Sequence, residues 1–360
     1  MDSITQALLG ATIGEVGFGA ALGRKALVVG AICGLLPDLD LLVREQNPWY
    51  FMVHHRGITH SVLALTAASP LLGYLLYRFY GREASWRAWS LLIFFSLVTH
   101  PLLDWCTSYG TQLFLPLTNR RFAIDAVAII DPVYSLPLLA AVMLALFRRP
   151  SWAVFQRDAC LFLLAATTGY LVLGFIFSQE VRARARTALE GEGFSPVAVR
   201  AMPAMLSANL LWRVVARDAA GEIRTGWASA WTPRLIRFTR IPPVKGPLVD
   251  KALATEGGRI FSWFADGYVS ARVQEHPEGA DVLLMDCRYG LLSDPAFLPF
   301  GARVAFDREG RVTAVERIHG RGGIRRRALD NELKAVWSAI RNGPPVGEEA
   351  TGDRHGADPS

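Results

Sequence analysis

Six apolar runs, at about residues 4–22, 26–43, 61–80, 88–108, 126–147 and 158–178, fill the first half of the chain and are separated by short polar loops. A hydrocarbon core of ~30 Å takes ~20 apolar residues of helix to cross, and most of these runs approach that length. Beyond Ser178 charged and turn residues are distributed as in a water-soluble domain. A chain of 360 residues, 51% of them hydrophobic, has room for two domains but is too apolar for an ordinary soluble pair. The expected fold is therefore mainly α: a polytopic helical membrane bundle of about six spans over 1–178, then a soluble α+β domain over 179–342. The tail, 343–360, has too little to bury and is expected to be disordered.

The start "MDSITQALLG" has no basic stretch ahead of its apolar residues, so the first run is expected to remain as an anchor. Cysteines 33, 106, 160 and 287 are scattered without CxxC spacing, which argues against a disulfide framework or a thiolate zinc site. Basic residues set the expected orientation. Arg24, Lys25, Arg78, Arg82, Arg87, Arg148, Arg149 and Arg157 fall on one side, against Arg44, Arg56, Arg120 and Arg121 on the other. The first side is expected to be cytoplasmic, with the 44–60 and 109–125 loops and the carboxy-terminal domain facing outward. Arg182, Arg184 and Arg186 argue the other way.

In the second half "LLWRVVARD", "IRTGWASAW", "DVLLMDCRYG" and "GARVAFDREGRVTAVERI" have the alternation of strands, with "DREGR" as a hairpin turn. Helical stretches are expected over 247–265 and 328–341. The "RGGIRRR" run suits a solvated turn better than an anion-binding patch, and His276 and His319 stand apart from any ligand-spaced carboxylates.

The first half carries the chemistry. Ionisable side chains in a spanning segment cost several kcal/mol unless paired, hydrated or metal-bound, so each is a functional candidate. Asp38 and Asp40 close the second run, and His55 and His60 flank the start of the third in "HHRGITHS". His100 and Asp104 are four residues apart in the fourth, hence on one helix face. Asp131 opens the fifth run, where Asp131-Pro132 also reads as a capped helix start. Alternating spans bring all of these positions to one membrane face. Glu15 is an even choice between the site and a hydrogen bond in the bundle. Gln6 is expected to be structural, and His54 a boundary residue.

Mixed imidazole and carboxylate without thiolate suits zinc or another first-row ion. Such an ion lowers the pKa of bound water and stabilises a leaving oxygen. Arg56, inside the histidine motif, is suited to gripping a phosphate through two hydrogen bonds.

The segments "MDSITQALLGATIGE", "PDLD", "HRGITHS", "HPLLDWCTSYGTQ" and "IIDPVYSLPLL", in this order and spacing, resemble the LexA-regulated, membrane-bound metal-dependent hydrolase family of bacterial inner-membrane proteins. The resemblance covers about residues 1–178. It implies a divalent-metal hydrolase with Asp38, Asp40, His55, His60, His100, Asp104 and Asp131 as motif positions. That family is distantly similar to zinc-dependent phospholipase C and related nucleases, whose amino-terminal Trp ligand has no counterpart here.

The function expected is hydrolysis of a phosphoester in a lipid or lipid-linked substrate at the outer face of the inner membrane. One to three ions, most plausibly zinc, would be held by Asp38, His55, His60, His100, Asp104 and Asp131. Arg56 would neutralise the substrate, and Asp40 or Glu15 would act as base or support. Membrane lipids are the expected partners, and nucleic acid is not expected. The alternatives are an ion or metal transporter using the same cluster, and a non-catalytic membrane scaffold with a structural metal.

Overall fold

The computed structural model describes all residues except 44–46, 48, 81–83, 148–149, 230–235, 244, 293–298, 320–325 and 343–360. The expected tail and most of the "RGGIRRR" run thus lie outside the described residues. The chain divides into two compact units, Met1–Glu180 with Met202–Asn209, and Val181–Ala201 with Leu210–Ser360.

The first unit is helical. Helix α1 (Ser3–Leu22) starts at Asp2, whose carboxylate accepts from the Thr5 amide, and α2 (Arg24–Leu35) follows after Gly23. The two pack antiparallel at backbone contact. A Cβ on Gly10 would stand 2.2 Å from the Gly30 carbonyl oxygen, and one on Gly14 would stand 2.1 Å from that of Ala26. Only residues without a side chain permit this approach, which is how small residues join helices in a membrane. A 3₁₀ segment, Leu36–Leu42, extends α2 with Pro37 in its first turn.

The short α3 (Tyr50–His54) leads to α4 (Val62–Phe79), which forms an antiparallel hairpin with α5 (Trp86–Trp105). Next come α6 (Pro132–Leu146) and the long α7 (Ala153–Gly191). Leu92, Ile93 and Leu97 of α5 form one buried cluster with Ala26, Val29 and Cys33 of α2 and Leu65 of α4. A second cluster joins Leu9, Leu103, Val127, Tyr134 and Leu138.

The expectation of six spans is corrected. Among the described residues three helices, α4, α5 and α7, are long and apolar enough to cross a membrane, and α6 is apolar but shorter. The run at 26–43 breaks at Pro37, leaving α2 with 12 residues, or about 18 Å of helix against a ~30 Å core. The run at 126–147 loses its first residues to a loop, so α6 has 15 residues. Although α1 has 20 residues, it is diluted by glycine and buries Thr5, Gln6, Thr12 and Glu15.

The second unit holds two four-stranded antiparallel meanders. One comprises β1 (Ala198–Pro203), β2 (Leu211–Arg217), β3 (Ile223–Ser229) and β4 (Phe238–Ile241). The other comprises β5 (Val269–His276), β6 (Gly279–Asp286), β7 (Phe300–Asp307) and β8 (Val312–His319). In β6 every second residue from Ala280 is buried, the period of a sheet with one covered face. The β7–β8 turn is built by Asp307, whose carboxylate accepts from the amides of Glu309 and Arg311 at 3.1 and 2.8 Å. Helices α8 (Pro247–Ala254), α9 (Glu256–Phe264) and α10 (Arg326–Asn342) complete an α+β unit.

Candidate metal centre

Four local devices bring polar side chains to one end of the first unit. The 3₁₀ segment after α2 carries Asp38 and Asp40. In "HRGITHS", Arg56 takes a left-handed conformation (φ 62°), and a Cβ on Gly57 would stand 2.7 Å from the His54 carbonyl oxygen. This tight reversal and the 3₁₀ turn Ile58–His60 place His55 and His60 before α4. Ser61 caps α4 and donates to the Leu115 carbonyl, tying the turn to the loop after α5. His100 and Asp104 lie one turn apart near the end of α5, both 1% exposed.

The Nε2 atoms of His60 and His100 are 3.1 Å apart. Asp38 Oδ1 lies 3.5 Å from the first and 3.4 Å from the second, and Asp104 Oδ2 lies 3.4 and 3.6 Å from them. Ligand atoms about 2.0–2.2 Å from one ion and separated by the tetrahedral angle stand about 3.3–3.6 Å apart.

The proton positions follow from the neighbours. His100 Nδ1 lies 2.6 Å from the Gly34 carbonyl oxygen, a pure acceptor, so Nδ1 carries the hydrogen and Nε2 a lone pair. Thr59 spends its hydroxyl hydrogen on Asp40 Oδ2 at 2.8 Å, so at 3.0 Å it accepts from His60 Nδ1. In their neutral forms both rings therefore turn bare Nε2 atoms toward each other and toward two carboxylate oxygens. Asp104 Oδ2 is buried without a hydrogen-bond partner among the described residues. Lone pairs meeting in this way are compatible with a shared proton or with a metal ion, and the donor set fits a divalent metal. The same setting acts on His60: burial favours its neutral form, but the carboxylates of Asp104 and Asp38 outweigh burial and raise its pKa.

One atom each from Asp38, His60 and His100 forms a possible ligand group, and so does one each from Asp38, Asp40 and His55. Asp38 is common to both. Its other oxygen accepts from Ser3 Oγ at 2.9 Å. Asp40 contacts His55 Nδ1 at 3.0 Å and accepts from the Arg56 amide at 3.3 Å. His55 is shifted downward, chiefly by burial, with Asp40 opposing; a neutral imidazole is the form that binds metal.

Asp104 Oδ1 is surrounded by donors. Gln6 Nε2 lies at 3.1 Å and Arg56 Nη2 at 3.0 Å, with the Met1 amino nitrogen in contact. Arg56 also donates to Thr107 at 3.1 Å and lies over the Tyr109 ring. Its guanidinium, 5% exposed, is thus committed to Asp104, and the expected grip on a substrate phosphate is replaced by charge compensation within the protein.

Asp131 and Glu15 are not brought to the cluster, and Asp131 takes instead the helix cap that Asp131-Pro132 predicts. Asp131 caps α6, accepting from the amides of Val133 and Tyr134 at 2.9 and 3.3 Å, and its other oxygen accepts from Tyr170 at 2.7 Å. Glu15 is buried beside Gly19, nine residues or about 13.5 Å of helix from Gln6, and so stands away from the cluster. His54 is exposed and packs against the Tyr50 ring at a tilt of 31°. Ser3, Thr59, Thr107 and Tyr109 gave no signal in the sequence. Gln6 reaches both the His100 carbonyl and Asp104, and a polar side chain within an apolar run was its only mark.

A helical membrane unit with a buried histidine and carboxylate cluster at one end of its α4–α5 hairpin defines the class of this protein. Over residues 1–181 the chain matches the YdjM inner membrane protein family, and it belongs to that family. It is also similar to an uncharacterized protein, YfhP, of Bacillus subtilis (strain 168), with 27% identity over 149 residues. That match covers 39% of this chain and 45% of YfhP, so it spans less than half the length of that relative. No solved structure matches the chain.

Proposed function

We propose that the protein is a membrane-bound, metal-dependent hydrolase of a phosphoester in a lipid or lipid-linked substrate. The observation that carries this reading is the pair of bare Nε2 atoms, His60 and His100, meeting Asp38 and the unpartnered oxygen of Asp104 at ligand-to-ligand spacing. Asp38, His60 and His100 with Asp104 would hold one ion, and Asp38, Asp40 and His55 a second. An ion of the zinc class supplies Lewis acidity and lowers the pKa of water bound to it toward neutrality.

The protein's own groups do the rest. Gly34 and Thr59 fix the two imidazoles by holding their Nδ1 hydrogens, the outer contacts that orient metal-bound histidines. Asp40 secures both Thr59 and His55, and its position suits it to accept a proton from water. Arg56 and Gln6 hold Asp104 ionised in a buried site. The resemblance to metal-dependent hydrolases supports the reaction class, since most of its motif residues converge here. Three long apolar helices support several membrane crossings, and the basic-residue count favours the outer, periplasmic face for the site.

The test is elemental mass spectrometry of detergent-purified protein together with a panel of phospholipids and lipid-linked phosphates. Wild type should carry a near-integer content of a transition metal and hydrolyse one substrate, and folded His100→Ala and Asp104→Ala variants should lose both. Metal without turnover of any phosphoester would count against hydrolysis and favour the structural-metal reading. Metal uptake into proteoliposomes without turnover would favour transport.

A further inference from the structure

We infer that a groove in the first unit, bounded by α1, α5, α6 and α7, is the subsite for one hydrocarbon chain of a lipid; its link to substrate rests on the reading proposed above. The groove has a volume of about 540 Å³ and is lined by residues such as Leu9, Ile13, Phe18, Phe95, Leu103 and Leu171. Two of its walls, α5 and α7, are helices long and apolar enough to span a membrane.

The lining presents carbon. Both threonines that reach it turn their hydroxyls back to their own helices, Thr99 to the Phe95 carbonyl at 2.6 Å and Thr168 to the Leu164 carbonyl at 2.9 Å. A polar or charged ligand would therefore lose its water without recovering hydrogen bonds, whereas a hydrocarbon chain loses nothing.

The length suits an alkyl chain. The lining runs from Leu9 to Phe18 on α1 and from Phe95 to Trp105 on α5, about 15 Å of each at the helical rise. That is about half of a ~30 Å hydrocarbon core, the depth reached by the chain of a lipid in one leaflet. A helix of a second copy is the competing occupant, and chain-to-chain contact over the groove would reveal it.

One end of the groove lies at the level of the histidine and carboxylate cluster along the helices. Leu103 and Trp105 flank Asp104 in the chain and Leu9 lies one turn after Gln6, while Phe95, Thr99 and Leu102 face away from His100 and Asp104 on α5. Phe18 and Phe95 mark the far end, toward the opposite ends of α1 and α5. A lipid whose tail follows the groove thus has its headgroup end on the side of His60, His100 and Asp104.

Gly17 makes the inference testable, since it lines the groove and a Cβ there would meet nothing within 4 Å. Gly17→Phe should place a ring in the groove and obstruct it. Wild-type and variant full-length protein are reconstituted into vesicles of dioleoyl phosphatidylglycerol and phosphatidylethanolamine. The vesicles contain a trace of phospholipid with a diazirine in its acyl chain. After irradiation the labelled residues are mapped by mass spectrometry.

Wild type should be labelled in the groove, on the segments bearing Ile13 and Leu103. In Gly17→Phe that label should fall severalfold, because the ring takes space that the chain would occupy. Label on Leu71 and Leu75, exposed on α4, should not change. A groove labelled no more than α4, or equally in wild type and variant, would overturn the inference, as would chain-to-chain contact shielding the groove.

Because the readout needs no turnover, it separates from the proposed function. Groove labelling in a protein that hydrolyses nothing leaves the lipid subsite standing and removes the hydrolase. Where a substrate is found, Gly17→Phe should lower kcat/KM for its dioleoyl form and spare the dihexanoyl form.

Discussion

The imidazoles of His60 and His100 face each other through Nε2 atoms 3.1 Å apart, each with its Nδ1 hydrogen already engaged, by Thr59 and by Gly34. Without a metal ion or a proton between the two Nε2 atoms this is a repulsive arrangement. Removing metal by chelation should therefore lower the unfolding temperature of the detergent-solubilised protein, and restoring the ion should recover it. An ion present at a thousand times its Kd stabilises by about 4 kcal/mol. His60→Ala and His100→Ala should each abolish the chelator-sensitive part. An unfolding temperature indifferent to chelator in wild type would mean that protons, and not an ion, hold these rings together.

Arg56 and Asp104 form a buried ion pair at 3.0 Å, and this predicts how Arg56 variants fail. Arg56→Ala leaves a carboxylate buried with too little compensation, a loss of about 3–5 kcal/mol in comparable pairs. Arg56→Lys keeps the charge but not the second hydrogen bond to Thr107, and should recover part of the loss. Denaturant unfolding measures both. A variant with unchanged stability and a raised KM would return Arg56 to the role of substrate contact.

The elements that carry the site were legible because their chemistry conflicts with their surroundings. Asp38, His100 and Asp104 stand in or against apolar runs, and counting alternate spans sent them to one end of the bundle. The number of spans was not legible, because hydropathy does not register where Pro37 converts α2 into a 3₁₀ turn or where a loop takes up the start of a run. The same limit left Asp131 open between a ligand and a helix cap, and the Val133 and Tyr134 amides bear out the cap. Arg56 was read as a phosphate contact, but a guanidinium beside histidines suits a buried carboxylate equally, and here it lies 3.0 Å from Asp104. Gln6 became informative only once α1 was seen to run against α5.

The contact of α1 with α2 predicts opposite outcomes for two glycines on one helix. A methyl at Gly10 would stand 2.2 Å from the Gly30 carbonyl oxygen, so Gly10→Ala must separate the helices. Overpacking of this kind costs about 1–3 kcal/mol. It should also weaken metal binding, because α1 carries Gln6 and α2 leads to Gly34 and Asp38. Gly17→Ala meets open space and removes a flexible residue from a helix interior, which should stabilise by up to about 1 kcal/mol. Thermal unfolding and metal content of the two variants test the packing, and equal effects would refute it.

Asp131 separates the contacts in this structure from the role that the resemblance implies. Its carboxylate receives two amides of α6 on one side and the Tyr170 hydroxyl on the other. Asp131→Ala should cost about 0.5–2 kcal/mol for the lost cap, with a further loss from the stranded Tyr170 hydroxyl. Asp131→Asn keeps an acceptor and should recover much of the cap. Tyr170→Phe should then add little to Asp131→Ala, because the two groups share one hydrogen bond. Metal content should remain at the wild-type level in every folded variant. A loss of metal in Asp131→Asn as large as that in His100→Ala would put Asp131 in the ligand shell and require α6 to shift when the ion binds.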